Sequence, residues 1–460
     1  ALDWRCFTQL GSNAIMKSAR YFRSFPSRQV CRSRNVITTS FVRAMCQSST
    51  ITPTEPLKRP NVQRADRIAS FSPNAFSHFS FLAEEFKAVN LAQGAPDWDI
   101  PEFVQRIGRE SFSSSFAGPT IHQYSSHIGL PALNNVLVKI YEKLLNHSLD
   151  PVHDVLITNG AQDAIVAILQ AFLNPGDEVV YMDPFFAAYP PMVTLVSGKS
   201  VCVPLRQSSK SLFAQDWTID LKELDDAITD RTKILILNTP HNPTGKVFSR
   251  NELLAIAKIV RRHPNLIVLS DEVYENLVFD NLEHIRFATL PDMFDRTLTV
   301  SSASKSFSCT GWRIGWIIGP KDLINPIQLA HQWMSFCSAV PLQQAVASML
   351  EESLKTTYFD DLRHDFQQMR DQLCNALQSA GIVPVIPSSG YFILGDFTKH
   401  RNKLSISPNE RADLEFCGYL TREYGVAAIP ASEFFSEESH QFAERFTRYS
   451  FCRTEKTLNE

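Results

Sequence analysis

Four apolar runs in this chain each stop abruptly at a cluster of polar residues. KILILNTPHNPTG (residues 233–245) is a buried-strand pattern ending in a turn, and LIVLSDEVY (266–274) and TLTVSSASK (297–305) repeat it. DVLITNGAQ (154–162) does the same and runs into a helix whose Ile165, Ile168, Leu169 and Phe172 keep helical spacing. NELLAIAKIVRRH (251–263) places another helix between strands. Strands alternating with helices specify an α/β fold, a large, mostly parallel sheet flanked by helices. In such sheets ligands collect beyond the C-terminal ends of the strands. The clusters 160–162, 238–242, 271–274 and 301–305 all fall at such ends, so one site built from all four is expected.

The texture changes near residue 345. A long helical pattern (YFDDLRHDFQQMRDQLCNALQSAG) leads into the short strands VPVIP, GYFILGDF, VAAIP and RFTRYSFC, which predict a smaller α+β domain. Before the large sheet, SFLAEEFKAVNLAQGAPDW reads as a helix, a short strand and a glycine turn. The expected organisation is an N-terminal arm with part of the small domain (67–105), a large domain (106–345) and a small C-terminal domain (346–460). A Pro-rich linker (51–66) precedes them. Residues 4–54 hold eight Lys or Arg, eight Ser and no acidic residue. That composition fits either an organelle transit peptide over residues 1–50 or a disordered tail, and targeting is the reading adopted. The Ser/Thr-rich end favours a plastid over a mitochondrion. Met16 is an expected start, and a cut near FVRAMCQSS would begin the mature chain around residues 46–50.

Bulk properties narrow the function. A net charge of −3 gives no sign of nucleic-acid binding, and no apolar run is long enough for a membrane span. Nine cysteines without a CxxC pair read as free thiols in a reducing compartment, and no metal is expected.

Lys305 is the residue that needs explaining. A lysine at a strand end, amid Ser301, Ser302, Ser304 and Ser306, is partly desolvated, which lowers its pKa and makes the amine a nucleophile toward aldehydes. Pyridoxal 5′-phosphate (PLP) is such an aldehyde. It also requires a phosphate cradle, a carboxylate for its pyridine nitrogen, a ring-stacking side chain and a donor to its phenolic oxygen. Gly160, Ala161 and Gln162 open a helix whose free N–H groups suit a phosphate, with Arg313 and Ser302 beside them. Asp271 ends an apolar strand, where an unpaired carboxylate is costly, so it either meets the pyridine nitrogen or caps a turn. Tyr274 and Asn242 are candidates for the phenolic oxygen, although Asn242 and Asn238 also read as turn residues. Phe185 is a candidate to stack on the ring, against the alternative that it is core.

Together NTPHNPTGKVF, SDEVY, SASKSFSCTGWRIGW and the C-terminal RYSF resemble the motif set of class I aminotransferases, fold-type I PLP enzymes, over roughly residue 67 to the C-terminus. NLAQGAPDW, DPFFAAYPPM and ASEFF are most similar to the kynurenine–oxoglutarate, glutamine-phenylpyruvate and methionine aminotransferase group. The resemblance implies that Lys305 holds the cofactor covalently and later moves the substrate Cα proton. It implies that Asp271 pairs with the pyridine nitrogen, that Tyr274 and Asn242 contact the phenolic oxygen, and that Phe185 stacks. The phosphate falls to Ser302, Arg313 and the amides of Ala161 and Gln162, and Tyr124 reaches the phosphate of a neighbouring subunit in a homodimer. Arg448, rather than Arg445 or Arg453, clamps the substrate carboxylate with Asn242 and the backbone of Gly94. The implied reaction moves an amino group from an aromatic or large neutral L-amino acid to a 2-oxo acid by a ping-pong mechanism. The alternative is a PLP lyase on the same scaffold, such as a cysteine-S-conjugate β-lyase. Ala95 and FCSAVP (336–341) depart from the group's pattern, and relatives are expected to continue past RTEKTLNE.

Overall fold

The computed structural model describes residues 62–69, 71, 75–207, 211–404 and 411–460. The expected transit peptide and most of the expected linker lie outside the described residues. Strands are numbered along the chain. β1 is Val89–Asn90, β2 Val155–Thr158, β3 Glu178–Asp183, β4 Lys199–Arg206, β5 Thr218–Ile219, β6 Thr232–Asn238 and β7 Ile267–Asp271. β8 is Thr297–Ser302, β9 Gly315–Ile318, β10 Val383–Val385, β11 Phe392–Asp396, β12 Val426–Ala427, β13 Ile429–Pro430 and β14 Phe446–Ser450.

Eight strands form the main sheet in the order β2-β9-β8-β7-β6-β3-β4-β5. β4, β3, β6, β7 and β8 are mutually parallel, as their apolar runs require, because helices cover both faces. β9 runs antiparallel between β8 and β2. Register aligns the functional ends: Asn238 lies beside Asp271, Asp271 beside Val300, and Gly315 between Ser302 and Thr158. The helix Arg250–Arg262 shows how the sequence builds a flank. Ser249 and Glu252 close a capping box at its start, and Leu253, Ile256, Ala257, Ile259 and Val260 are buried. Each large aliphatic side chain buried there contributes about 2 kcal/mol, so Ile256→Asp would unseat the helix.

The C-terminal strands form an antiparallel sheet in the order β10-β11-β14-β13. The predicted long helix is Tyr358–Ser379. VAAIP, expected as one strand, is split: β12 pairs in parallel with β1, while β13 pairs with β14. That split ties the arm before Gly94 to the C-terminal segment. The expected boundary at 345/346 falls inside the helix Val340–Ser353, whose Ala345, Val346 and Met349 pack in a core with Val155 and Trp316 of the main sheet. No helix of the described residues is long and apolar enough to cross a membrane.

Candidate active site

The four strand ends meet at one cavity of about 260 Å³. Its lining includes Ala161, Gln162, Asn242, Asp271, Tyr274 and Ser302, together with Lys305, Arg313, Arg448 and Gly94. These residues come from positions as far apart as 94 and 448, so the sheet's register and the small sheet jointly create the site.

Backbone requirements shape the helix end of the cavity. Gly160 has φ +86°, and a Cβ there would collide with the Arg313 guanidinium. A Cβ on Gly315 would lie 2.6 Å from the Gly160 carbonyl carbon. Only glycines let the guanidinium settle onto the turn that opens the helix Ala161–Phe172. Arg313 is itself in the left-handed region, φ +55°, and donates from Nη1 to the Thr310 carbonyl at 3.0 Å. Among the described residues no carboxylate pairs with it. A guanidinium, free helix N–H groups and the Ser302 hydroxyl thus make an anion cradle that suits a phosphate.

Asp271 lies at the floor. Burial pushes its carboxyl up to about 6, countered by hydrogen bonds from Tyr189 and the Val273 N–H. Tyr189 donates to Asp271 Oδ2 at 2.5 Å, while Oδ1 receives only a long 3.4 Å bond from the Val273 N–H. One oxygen is therefore open to a cationic N–H, as a protonated pyridine nitrogen provides. Asn238 supports this floor: its Nδ2 donates to the Asp271 carbonyl at 3.0 Å and its Oδ1 accepts from the Asn242 N–H at 2.7 Å.

Lys305 sits on the short helical turn Ala303–Ser306 that follows β8. Burial lowers its amine to about 8; Arg313 and Arg448 press the same way, and Cys452 and Asp271 oppose them. The amine donates to the Tyr391 hydroxyl. Both the cavity and the donor set fit PLP, with Lys305 as the amine for its aldehyde.

Three arginines lie within the last strand region, and their partners separate them. Arg445 faces Asp396 at 3.5 Å. Arg453 is buried but satisfied by the carbonyls of Asn90, Gln93 and Ala95 at 2.7, 2.6 and 2.7 Å. Among the described residues Arg448 is buried with only long contacts, 3.3 Å to Asn242 Oδ1 and 3.5 Å to the Ala92 carbonyl, and its Nε has no partner. Phe392 and Phe434 flank its guanidinium at 3.7 and 4.2 Å from their ring centroids. Burial pulls Arg448 down to about 10. A buried guanidinium without a carboxylate is costly, and a substrate carboxylate would complete it.

Two expectations need correction or relocation. Phe185 does not line the cavity: its N–H bonds the Phe434 carbonyl at 2.8 Å and its ring packs edge-on to Tyr181 in the core. The neighbouring Phe186 lines the cavity instead. Tyr124 also lies outside its own chain's cavity, 85% exposed and edge-on to Phe336. Tyr189, Tyr391, Phe76, Ile165 and Phe392 were not anticipated.

Residues 87–460 match the family model for aminotransferase class I and II. The chain belongs to this family. It is accordingly a PLP-dependent transaminase on the fold-type I scaffold. It is similar to the kynurenine–oxoglutarate transaminase of Dictyostelium discoideum, 38% identical over 85% of this chain and 93% of that protein. It is similar also to human kynurenine–oxoglutarate transaminase 3, 37% identical over 86% of this chain and 88% of that protein. Among solved structures, Bna3p of Saccharomyces cerevisiae aligns with a TM-score of 0.82 at 33% identity, covering 87% of this aminotransferase and 97% of the yeast chain. YbdL of Escherichia coli, reported with a methionine aminotransferase function, aligns with a TM-score of 0.77 at 30% identity, over 86% and 97%.

Proposed function

We propose that this transaminase takes its amino group from an aromatic or large neutral L-amino acid, of the kynurenine, phenylalanine, tryptophan, methionine or glutamine type. The observation that carries this is the wall around Arg448. Phe76, Phe186, Phe392, Ile165 and Val273 line the cavity, and its cations besides Arg448 are Lys305 and Arg313. Arg448 takes the α-carboxylate, and no further cation stands ready for an acidic side chain among the described residues that line it. The names of the relatives point the same way.

Bound PLP supplies an electron sink for the pair left when the substrate Cα loses its proton. The protein's own groups do the rest. Arg448 and Asn242 orient the substrate carboxylate. Asp271 holds the proton on the pyridine nitrogen, and Tyr274 and Asn242 donate to the phenolic oxygen. The Ala161 and Gln162 amides, Ser302 and Arg313 hold the phosphate. Phe186 takes the stacking role first assigned to Phe185. Lys305, neutral above about pH 8, takes the Cα proton at Nζ and returns it. The same residues then run the reverse half-reaction on a 2-oxo acid.

The exposure of Tyr124 supports a homodimer in which it serves the partner's phosphate site. The composition of residues 1–50 supports import into a plastid. The decisive experiment titrates the PLP-loaded protein with phenylalanine, methionine, kynurenine, glutamine and aspartate singly, without an oxo acid. Loss of the visible cofactor absorption with the neutral donors but not aspartate is expected. Conversion by aspartate alone would sink the substrate class, and pyruvate release from a cysteine conjugate without an acceptor would mark the lyase.

A further inference from the structure

Tyr391 stands where three parts of the chain meet. It directly precedes β11 of the small sheet and is 1% exposed. Its hydroxyl donates to the Gly94 carbonyl of the N-terminal arm at 2.7 Å and accepts from Lys305 Nζ at the end of the main sheet. Its ring is fixed edge-on by Tyr274 and Phe392, with centroids 5.2 and 4.7 Å away.

The direction of these bonds matters. A phenol has one proton and can donate only once. With that proton on the Gly94 carbonyl, the oxygen can only accept from Lys305, as it can only accept from the Tyr274 hydroxyl that it also meets. The amine must then turn an N–H toward Tyr391, and its lone pair, when unprotonated, points away from the phenol. We propose that Tyr391 is a positioning residue for Lys305, holding the freed amine with an N–H on the phenol oxygen and its lone pair directed into the cavity. The Gly94 carbonyl sets the phenol's polarity, so the seating of the N-terminal arm is coupled to the orientation of the base. This inference rests on Lys305 being the group that moves the substrate proton.

Removing the hydroxyl has a consequence beyond rate. The titratable groups facing Lys305 are Asp271 and the buried thiol of Cys452, on the side of its protonated form, and Arg313 and Arg448, against it. The Tyr391 oxygen adds an acceptor that binds an ammonium more strongly than an amine. Without it, the amine should titrate lower still.

The test uses Tyr391→Phe, which keeps the ring and its packing. In the cofactor-free protein, competitive acetylation with acetic anhydride across pH, read on the Lys305 peptide by mass spectrometry, gives the amine's midpoint. A midpoint at least about half a unit below wild type is expected. In the PLP-loaded enzyme kcat should fall about 10- to 100-fold while KM stays within about threefold, because orientation of the base and not substrate binding is lost. Fluorotyrosine at position 391, a weaker acceptor in the same place, should move the midpoint the same way by less. An unchanged midpoint, or an unchanged kcat, overturns the inference. Lys305→Ala separates the two levels: a dead Lys305→Ala beside a fully active Tyr391→Phe removes only the role of Tyr391, whereas an active Lys305→Ala removes the base assignment itself.

Discussion

Asp271 and Glu272 are consecutive, both buried, and treated in opposite ways. Successive side chains at a strand end face opposite sides. Asp271 lines the cavity, where the cations among the described residues are Lys305, Arg313 and Arg448. Glu272 enters an ionic cluster whose opposite charges face one another, although Arg286 Nε and His284 Nδ1 make no hydrogen bond among the described residues. It meets His284 at 2.7 Å and Arg286 at 3.7 Å and accepts from the Ser270 hydroxyl at 2.8 Å. Arg286 also grips Glu275 at 2.6 Å, and Glu275 accepts from Tyr141 and Ser301 at 2.8 and 2.5 Å. In the cluster each carboxylate faces a cation of the same chain. In the cavity Arg448 lacks a carboxylate and Lys305 is pulled below its usual range. The difference teaches that burial of charge does not by itself mark a working site; burial of a charge without an opposite charge of the same chain does.

If that contrast holds, changes on the two sides should separate activity from stability. The largest effect is expected for Lys305→Ala. Transamination should fall by at least about 10⁴-fold with little loss of thermal stability, since the variant removes a buried amine and both of its covalent and proton-transfer roles. Steady-state rates beside a melting curve check it, and retained multiple turnover would break the assignment of roles within the cavity. Next comes Arg286→Met in the Glu272–Glu275 ionic cluster. Leaving Glu272 and Glu275 buried with one cation fewer should cost about 3–5 kcal/mol of stability, seen as a lower urea midpoint, while KM of the surviving folded enzyme stays near wild type. A selective rise in KM would show that the cluster belongs to the site after all. Arg448→Lys should be milder for folding and specific for substrate. Loss of the planar two-point grip should reduce kcat/KM about 100-fold, mostly through KM, with the urea midpoint unchanged.

The same contrast explains what could be read from the chain alone. Lys305, Asp271 and Asn242 stand out because polar residues that follow apolar strands are anomalous in a way local pattern reveals, whereas Arg313, which precedes β9, and the turn at Gly160 are weak alone and gain force only beside the other motifs. The parallel sheet was legible for the same reason, from runs such as KILIL and LIVL. What failed depends on distant partners. Phe185 and Phe186 are adjacent and chemically alike, and what sets them apart is distant: Phe185 N–H bonds the Phe434 carbonyl and its ring packs on Tyr181, while Phe186 lines the cavity. Tyr189 and Tyr391 were missed because their partners Asp271 and Lys305 are 82 and 86 residues away in sequence. VAAIP looks like one strand, yet Ala428 divides it between two sheets. Arg448 was separable from Arg445 and Arg453 by motif, but its physical distinction, an Nε without a partner, is visible only once the other two are seen to be satisfied.

The smallest effect sharpens the comparison most directly, because it concerns a group whose burial costs stability until a ligand arrives. The folded pKa of Asp271, about 6, lies above its ordinary 3.8. The folded protein therefore binds this proton more tightly than the unfolded chain between those values, and its stability falls as pH rises from 4 to 6. Above pH 6 the buried carboxylate carries its full desolvation cost. The Asp271→Asn variant has no such group, and its amide oxygen can still accept from Tyr189. The cofactor-free variant should thus be more stable than wild type at pH 7.5, by about 3 kcal/mol, with the two curves converging below pH 4. Saturating PLP should reverse the order at pH 7.5, because a protonated pyridine nitrogen completes the Asp271 carboxylate and finds no charge to pair with in the amide variant. Melting temperatures of both proteins at several pH values, with and without PLP, decide it. If the cofactor-free wild type were the more stable at neutral pH, Asp271 would belong with Glu272 among the charges the chain satisfies for itself.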